Sequence, residues 1–264
     1  MDKPSQLMPD IWLLPSYFPI PGAGFLAVNA FLISSEEPVL VDTGMGMERE
    51  DFLQALESVM DLEDLKWVWL THDDADHTGN LQTILERAPN ARLVANSLAV
   101  LRMSSAWPVP MDRVHWLNSG DRIRLGSRDL AAIRPPLFDN PATIGIYDVS
   151  SQAFFAADFF GAIIPSQSKR AEDVPEEDLA RGMISWASTD NPWVHMVGEG
   201  EFAGELEKIR QLSPEWILSG HLPPAQGKTD RFLEVLAQVP SSPPVCPPDQ
   251  AALEQILAQM KGRG

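Results

Sequence analysis

Short apolar runs separated by turn signals dominate the chain between residues 11 and 157. Runs such as residues 39–41 and 66–70 predict buried strands. Helical spacing of apolar residues appears at two places among these strands and prevails after residue 157. Strands and helices follow one another without a long linker, which predicts a single layered α/β domain of the α+β type over residues 1–240. The windows with helical spacing are residues 51–60, 81–85, 175–187, 201–211 and 228–238.

The end of the chain differs in composition from this predicted domain. Residues 241–264 begin with a Pro-rich stretch, which predicts a semi-rigid linker, and continue with the apolar stripe of an amphipathic helix. We expect this helix to pack on the domain or on another subunit. The second alternative would make the protein a homodimer.

Composition and charge restrict the partners. The 264 residues are 44% apolar and 22% charged, which is typical of a globular protein, and the formal net charge is -17. Such a charge disfavours nucleic acid as a partner. The single cysteine excludes an internal disulfide and a cysteine-based zinc or iron–sulfur site. Because no signal-peptide pattern and no run of about 18 apolar residues is found, we expect a cytoplasmic protein without a membrane span.

Four polar side chains follow directly after the apolar run at residues 66–70. They are His72, Asp74, Asp76 and His77. Buried charges are costly unless something compensates them, and a divalent metal ion would do so. In an extended loop His72 and Asp74 project to the same side and can share one ion, while Asp76 and His77 can face a neighbouring ion. The alternative is a solvated acidic turn in which Asp76 caps a helix.

Two distant segments carry further metal-ligand types at the ends of apolar runs. Asp158 follows the run at residues 153–156, and His221 follows the run at residues 216–218. Each has a plain structural alternative, because an acid at a strand end often caps a helix and a single histidine is usually structural. The occurrence of all three segments in this order favours the metal site.

These motifs resemble the metallo-β-lactamase fold superfamily. The segment from His72 to Gly79 has the form His-x-x-x-Asp-His-x-Gly, and residues 39–44 match the superfamily's second-strand signature Val-Leu-Val-Asp-Thr-Gly. The resemblance implies a four-layer αββα sandwich with a two-metal site at the loop edge of its sheets. Asp74 stands where the hydrolases have a second histidine, and a carboxylate there is similar to the flavodiiron and oxygen-binding di-iron branch. The segment around Asp158 also looks like that branch's bridging aspartate.

The resemblance implies a ligand set for two metal ions. The first ion would be bound by His72 and Asp74, the second by Asp76 or His77 together with His221, and Asp158 would bridge both. The mid-chain histidine of the family is missing, and its place falls on Asp139. This aspartate either replaces that ligand or initiates an Asn-Pro turn.

The ligand types indicate which metal is expected. Three imidazoles and up to four carboxylates without a thiolate are harder than a typical zinc site and suit iron or manganese. Iron is the expected metal, and zinc stays open because the Irving–Williams order favours it.

The resemblance leads to three functional hypotheses. The first is a non-heme di-iron protein that binds or reduces O2, NO or peroxide. No FMN phosphate loop and no Cys-x-x-Cys rubredoxin knuckle occur in the sequence, so we expect no flavin on this chain. Electrons would then come from a separate flavoprotein or rubredoxin-like donor, unless the protein is an oxygen sensor. The second hypothesis is a metal-dependent hydrolase of an ester, lactone, thioester or phosphodiester. The third is a metal-free binding scaffold.

Overall fold

The computed structural model describes residues 1–246 and 248–261, and the side chains of residues 1–246 and 248–258. The helices are α1 (Arg49–Glu57), α2 (Ala75–Thr78), α3 (Leu81–Arg87), α4 (Ser97–Met103), α5 (Glu176–Asp190), α6 (Glu199–Leu212), α7 (Thr229–Leu236) and α8 (Gln250–Lys261). The strands are β1 (Ser5–Met8), β2 (Ile11–Ile20), β3 (Gly24–Ile33), β4 (Val39–Val41), β5 (Trp67–Trp69), β6 (Arg92–Ala95), β7 (Val114–Trp116), β8 (Arg122–Leu125), β9 (Arg128–Ile133), β10 (Gly145–Asp148), β11 (Ala153–Phe155), β12 (Ile163–Ile164), β13 (Trp216–Leu218) and β14 (Ala225–Gln226).

The described strands form two mixed sheets. The first has the order β1-β2-β3-β4-β5-β6-β7, with β12 paired to the opposite end of β3 from β4. The second has the order β14-β13-β11-β10-β9-β8. Strands β4 to β7 run parallel to one another, and β11 runs parallel to β13. The loops that follow β5, β9, β11 and β13 carry the predicted site residues.

Successive strand residues point into different apolar layers. Leu40 packs with the helices outside the first sheet, whereas Val41 packs between the two sheets. Phe154 packs with the helices outside the second sheet, whereas Phe155 faces the first. This alternation follows from the two-residue period of a strand. The layers are therefore helices, sheet, sheet and helices, and the predicted αββα sandwich is confirmed.

Strand β3 is longer than its sequence pattern predicts. Asn29 separates two apolar runs in the sequence, and this pattern predicts two short strands. The structure has one continuous strand in which Asn29 is buried. Its Nδ2 donates hydrogen bonds to the carbonyl oxygens of Ser219 (3.0 Å) and Leu222 (2.8 Å). Each unsatisfied buried carbonyl would cost about 1–3 kcal/mol, so the amide is a favourable interior residue here. It fixes the loop that contains His221.

The C-terminal segment includes a helix, α8, in the region where the sequence predicts one. Leu253 and Leu257 on this helix are 46% and 47% exposed. The division into a domain over residues 1–240 and a C-terminal segment over residues 241–264 stays a prediction. In the part of the chain that the structure describes, no helix has both the length and the apolar character needed to cross a bilayer.

Candidate metal centre

Four loops meet at one edge of the sandwich. They follow β4, β5, β11 and β13, and parallel strands within a sheet end at the same edge. Asp158 lies in the loop after β11, between Ala157 and Phe160, whose φ angles of 51° and 70° are left-handed. Asp42, after β4, has a φ of 58°. Each left-handed non-glycine residue costs about 1–3 kcal/mol, and such residues cluster at functional sites.

The glycine of the motif lets two of these loops touch. Gly79 N donates a hydrogen bond to the carbonyl oxygen of Gly44 at 2.9 Å. A Cβ on Gly79 would lie 2.1 Å from the nitrogen of Gly46 and 2.5 Å from Gly44 O. Only glycine therefore allows this approach between the loop after β4 and the loop after β5.

The structure brings six of the seven predicted residues together in two groups of three, and the seventh, Asp158, lies between these groups. In each group, one ligand atom per residue lies within 4.8 Å of the others. The first group, which we call the first position, is His72, Asp74 and Asp139. The second group, the second position, is Asp76, His77 and His221.

Asp158 lies between the two positions. Its Oδ2 is 3.3 Å from Nε2 of His72. Its Oδ1 is 3.0 Å from Nε2 of His77 and 3.3 Å from Nε2 of His221. One carboxylate thus presents one oxygen to each position, which is the arrangement expected of a bridging ligand.

Hydrogen bonds fix the tautomer of two histidines. His221 Nδ1 lies 2.7 Å from the carbonyl oxygen of Ala27, which only accepts, so Nδ1 carries the proton. The hydroxyl of Thr71 donates to Asp42 and must therefore accept from Nδ1 of His72 at 3.0 Å. In both rings Nε2 is left with its lone pair towards the site. This is the nitrogen that a metal would use.

Asp42 holds the third histidine and the strand end beside it. Its Oδ1 accepts from the backbone N–H of Thr71 (2.8 Å), and its Oδ2 accepts from the Thr71 hydroxyl (2.8 Å). The same Oδ2 is 2.9 Å from Nδ1 of His77. A carboxylate behind a metal-binding imidazole orients the ring and increases its basicity. The sequence signature around Asp42 is thereby explained, although its contact with His77 could not be read from the sequence.

The arrangement leaves buried polar atoms without partners. Nε2 of His72, Nε2 of His77 and Oδ1 of Asp158 are buried and have no hydrogen-bond partner among the described residues. Unsatisfied buried polar groups are uncommon because each loses its hydration without compensation. A divalent cation at each position would satisfy them, so the residues fit the two-metal site that the family resemblance implies.

The electrostatics favour cations at the same place. Burial lowers the pKa of His77, but the charges of Asp158 and Asp42 outweigh it and raise that pKa well above its usual value. Burial and the repulsion from His77 lower the pKa of His72, but the charge and hydrogen bond of Asp158 and the charge of Asp42 together outweigh them, so that this pKa is also raised. Burial raises the pKa of Asp158, but the three histidines hold it well below its usual range. Protons and metal ions therefore compete for these sites.

Two residues that the sequence analysis did not select support the first position. Asn140 Nδ2 donates to Oδ1 of Asp73 (2.9 Å) and to Oδ1 of Asp74 (2.8 Å). Arg102 donates to Oδ1 of Asn140 (3.2 Å) and pairs with Asp73 (2.9 Å). The Asn-Pro pair suggested a turn at Asp139, and it was also the available signal for Asn140. The side-chain amide of Asn140 closes this turn and orients Asp74.

A further carboxylate, Asp190, lies beside the first position and was also missed. One oxygen each from Asp139, Asp158 and Asp190 lie within 4.8 Å of one another. Burial and the charges of Asp158 and Asp139 raise the pKa of Asp190 to about 8. Burial and Asp158 raise the pKa of Asp139 to about 6. No sequence motif marks Asp190, which lies just beyond the window of helical spacing at residues 175–187.

The fold and the site define a metallo-β-lactamase-like metal centre, and comparison with known proteins gives the family. The ODP family beta lactamase profile matches residues 26–221, and the chain belongs to this family. Among curated proteins it is 29% identical over 134 residues to diflavin flavoprotein A 1 of Synechocystis. It is 24% identical over 161 residues to the anaerobic nitric oxide reductase flavorubredoxin of Vibrio vulnificus.

These matches cover only parts of the relatives. They span 50% of this chain and 23% of the Synechocystis protein, and 61% of this chain and 33% of the Vibrio protein. Among solved structures, the rubredoxin oxygen:oxidoreductase of Desulfovibrio gigas superposes with a TM-score of 0.76 at 20% identity, covering 90% of this chain and 61% of that one. The chain thus corresponds to the metallo-β-lactamase-like region of flavodiiron proteins.

Replacing Asp42 with Asn tests its role behind His77. Asn tolerates the left-handed backbone but removes the charge that orients and polarises the imidazole. We expect Asp42→Asn to weaken metal binding by about 10- to 100-fold, as measured by competition with a chromogenic chelator. Asp64→Asn, at an exposed acid outside the site, is the control and should bind as the wild type does. Unchanged affinity in Asp42→Asn would contradict the assignment.

The raised histidine pKa values predict how metal stabilisation depends on pH. Without metal, protonated His72 and His77 pair with Asp158, and this stabilisation is lost as the pH rises through their raised pKa values. A metal must displace these protons, so it binds more tightly at higher pH. The increase in Tm on adding Mn²⁺ should be larger at about pH 8.5 than at about pH 6.5 in calorimetry. If the increase in Tm were the same or smaller at the higher pH, the assignment of these histidines as metal ligands would be contradicted.

Proposed function

We propose that this chain is the metal-binding core of a non-heme di-iron protein that binds or reduces O2, NO or peroxide. The observation that carries the proposal is the position of Asp158, with one oxygen towards each group of ligands and three imidazole nitrogens around it. His72, Asp74 and Asp139 would hold the first iron, and Asp76, His77 and His221 the second. When bound, the two irons would supply the electrons and the positive charge that reduction of a small molecule needs.

The donor types support iron or manganese over zinc. The two groups and Asp158 contain three imidazoles and four carboxylates. Carboxylate-rich sites suit metals that change between ferrous and ferric states or prefer oxygen ligands, whereas structural zinc commonly takes thiolate and imidazole. The relatives support the same chemistry, because their names are those of a nitric oxide reductase and an oxygen oxidoreductase.

The surroundings of the second position suit a neutral diatomic ligand. An open groove of about 370 Å³ reaches Asp76 and has a mostly apolar lining, in which Leu26, Val28 and Met45 are buried and Phe18 and Met47 are exposed. Its lining contains no Lys or Arg that could compensate an anionic substrate. Neutral O2 or NO needs no such partner, whereas a phosphodiester would find no cationic side chain there.

The electron source belongs to the same proposal. We propose a separate flavoprotein or rubredoxin-like protein as donor. Two relatives carry rubredoxin in their names, the flavorubredoxin of Vibrio vulnificus and the rubredoxin oxygen:oxidoreductase of Desulfovibrio gigas. The chain spans about a quarter to a third of the curated relatives, so the remaining parts of those proteins have no counterpart in the matched region.

The two other hypotheses are less well supported. A hydrolase of this fold uses a histidine where this chain has Asp74, and the relatives are flavodiiron proteins rather than hydrolases. A metal-free scaffold would have no reason to keep three histidines and four aspartates in contact.

Metal content and redox behaviour test this function. Protein produced with iron and purified without chelator should contain about two irons per chain. We also expect near-ultraviolet absorption that dithionite bleaches and air restores, because ferric ions bound by carboxylates absorb there. Asp158→Asn should lose most of the iron, since it removes the negative charge shared by both positions.

Asp148→Asn is the matched control, because Asp148 is also buried at a strand end but pairs with Arg128 away from the site. It should retain the iron. Zinc alone in the wild type, together with turnover of a chromogenic ester or lactone, would instead establish the hydrolase.

A further inference from the structure

Helix α5 covers the metal centre with one of its faces. Trp186 and Asp190 lie one turn apart on that face. The ring of Trp186 packs edge-on against the imidazole of His221, with 4.9 Å between the ring centroids. Asp190, the last residue of the helix, lies with Asp139 and Asp158. The helix therefore contacts the second position through Trp186 and reaches the first through Asp190.

The end of α5 and the loop that carries Asp139 are fastened to each other. Trp193 follows the helix, and its Nε1 donates to the carbonyl oxygen of Phe138 at 3.1 Å. The rings of Trp193 and Phe138 also pack together, with 5.4 Å between centroids. This contact holds Asp139 and Asp190 on the same side of Asp158. Their proximity thus follows from packing outside the acidic cluster.

Asp190 has no cationic protein partner at this place. Among the described residues, no Lys or Arg forms an ion pair with Asp139, Asp158 or Asp190. Asp190 accepts one hydrogen bond, from Nδ2 of Asn191 at 3.0 Å. An aspartate at the C-terminal end of a helix also faces the negative end of the helix dipole, which is unfavourable for an anion and favourable for a cation.

The acidic cluster includes an independent sign of a ligand. Nε2 of His72 is buried, has no hydrogen-bond partner among the described residues, and lies 3.3 Å from Oδ2 of Asp158. Asp139 belongs both to the group with His72 and Asp74 and to the group with Asp158 and Asp190, so it connects the acidic cluster to the first position.

We propose that Asp190 is a carboxylate ligand of the iron at the first position, where it and Asp139 together replace the missing mid-chain histidine. This inference rests on the proposed di-iron function. The first position then has one imidazole, from His72, and carboxylates from Asp74, Asp139, Asp158 and Asp190. The second has two imidazoles and two carboxylates. The two ions are therefore inequivalent, and the first is held almost entirely by oxygen.

Anaerobic equilibrium dialysis against Fe²⁺, with iron and protein measured after dialysis, tests this assignment. The wild type should bind about two irons per chain. Asp190→Asn should bind one of them at least about tenfold more weakly, because a charged ligand is lost. Glu177→Gln, which removes an exposed acid from the first turn of the same helix, is the control and should bind both irons as the wild type does.

A second measurement separates a ligand from a structural residue. Without metal, Asp190→Asn should unfold at the same temperature as the wild type or higher, because Asn keeps the size of the side chain and removes a carboxyl group that has no Lys or Arg partner among the described residues. Asp190→Glu, which keeps the charge, should recover most of the affinity. Combining Asp190→Asn with Asp74→Asn should cost less affinity than the sum of the single changes, since both act on the same iron.

The outcomes distinguish this inference from the proposed function. Two irons bound with unchanged affinity in Asp190→Asn would overturn the role of Asp190 and leave the di-iron function intact. Loss of both irons together with a lower Tm of the metal-free variant would also overturn it, because the residue would then be structural. A wild type that binds no iron would overturn the proposed function and this inference together.

Discussion

The site depends on one buried carboxylate that faces three imidazoles. Asp158 is 7% exposed, and its two oxygens lie 3.0–3.3 Å from nitrogens of His72, His77 and His221. None of these groups would be stable there alone, because each would lose its hydration. His72 and His77 come from the loop after β5, which Asp42, Thr71 and the contact at Gly79 hold against the loop after β4. Asp158 and His221 come from the loops after β11 and β13, which a hydrogen bond from Gly220 N to the carbonyl oxygen of Ala157 holds together.

Much of the fold and the site could be predicted from the sequence, for a physical reason. His72, Asp158 and His221 each follow a short apolar run, and a polar metal ligand directly after a buried strand can be recognised from the sequence alone. The residues that support these ligands cannot be recognised in this way. Asp42, Asn140 and Asp190 act through contacts with distant residues, and such contacts depend on packing. Asn29 misled the prediction for a related reason, since its partners lie about 190 residues away and make a polar residue acceptable inside β3.

The excess of carboxylates distinguishes this centre from imidazole-rich sites on the same fold. Asp74 stands where the hydrolases of this fold have a histidine, and in the proposed site Asp139 takes the place of the missing mid-chain histidine and Asp190 adds a further acid. Removing an imidazole and adding an oxygen donor makes the site harder and more negative, which favours iron or manganese and stabilises the oxidised ion. The arrangement of Asn140 and Arg102 on Asp73 and Asp74 limits the resulting repulsion at the rim, where Arg102 is the nearby cation.

The most direct test is a crystal structure of the iron-loaded protein with anomalous diffraction measured on both sides of the iron absorption edge. The account predicts two anomalous peaks per chain, one between His72 and Asp74 and one between His77 and His221, with Asp158 between them. A single peak, or peaks away from Asp158, would contradict it.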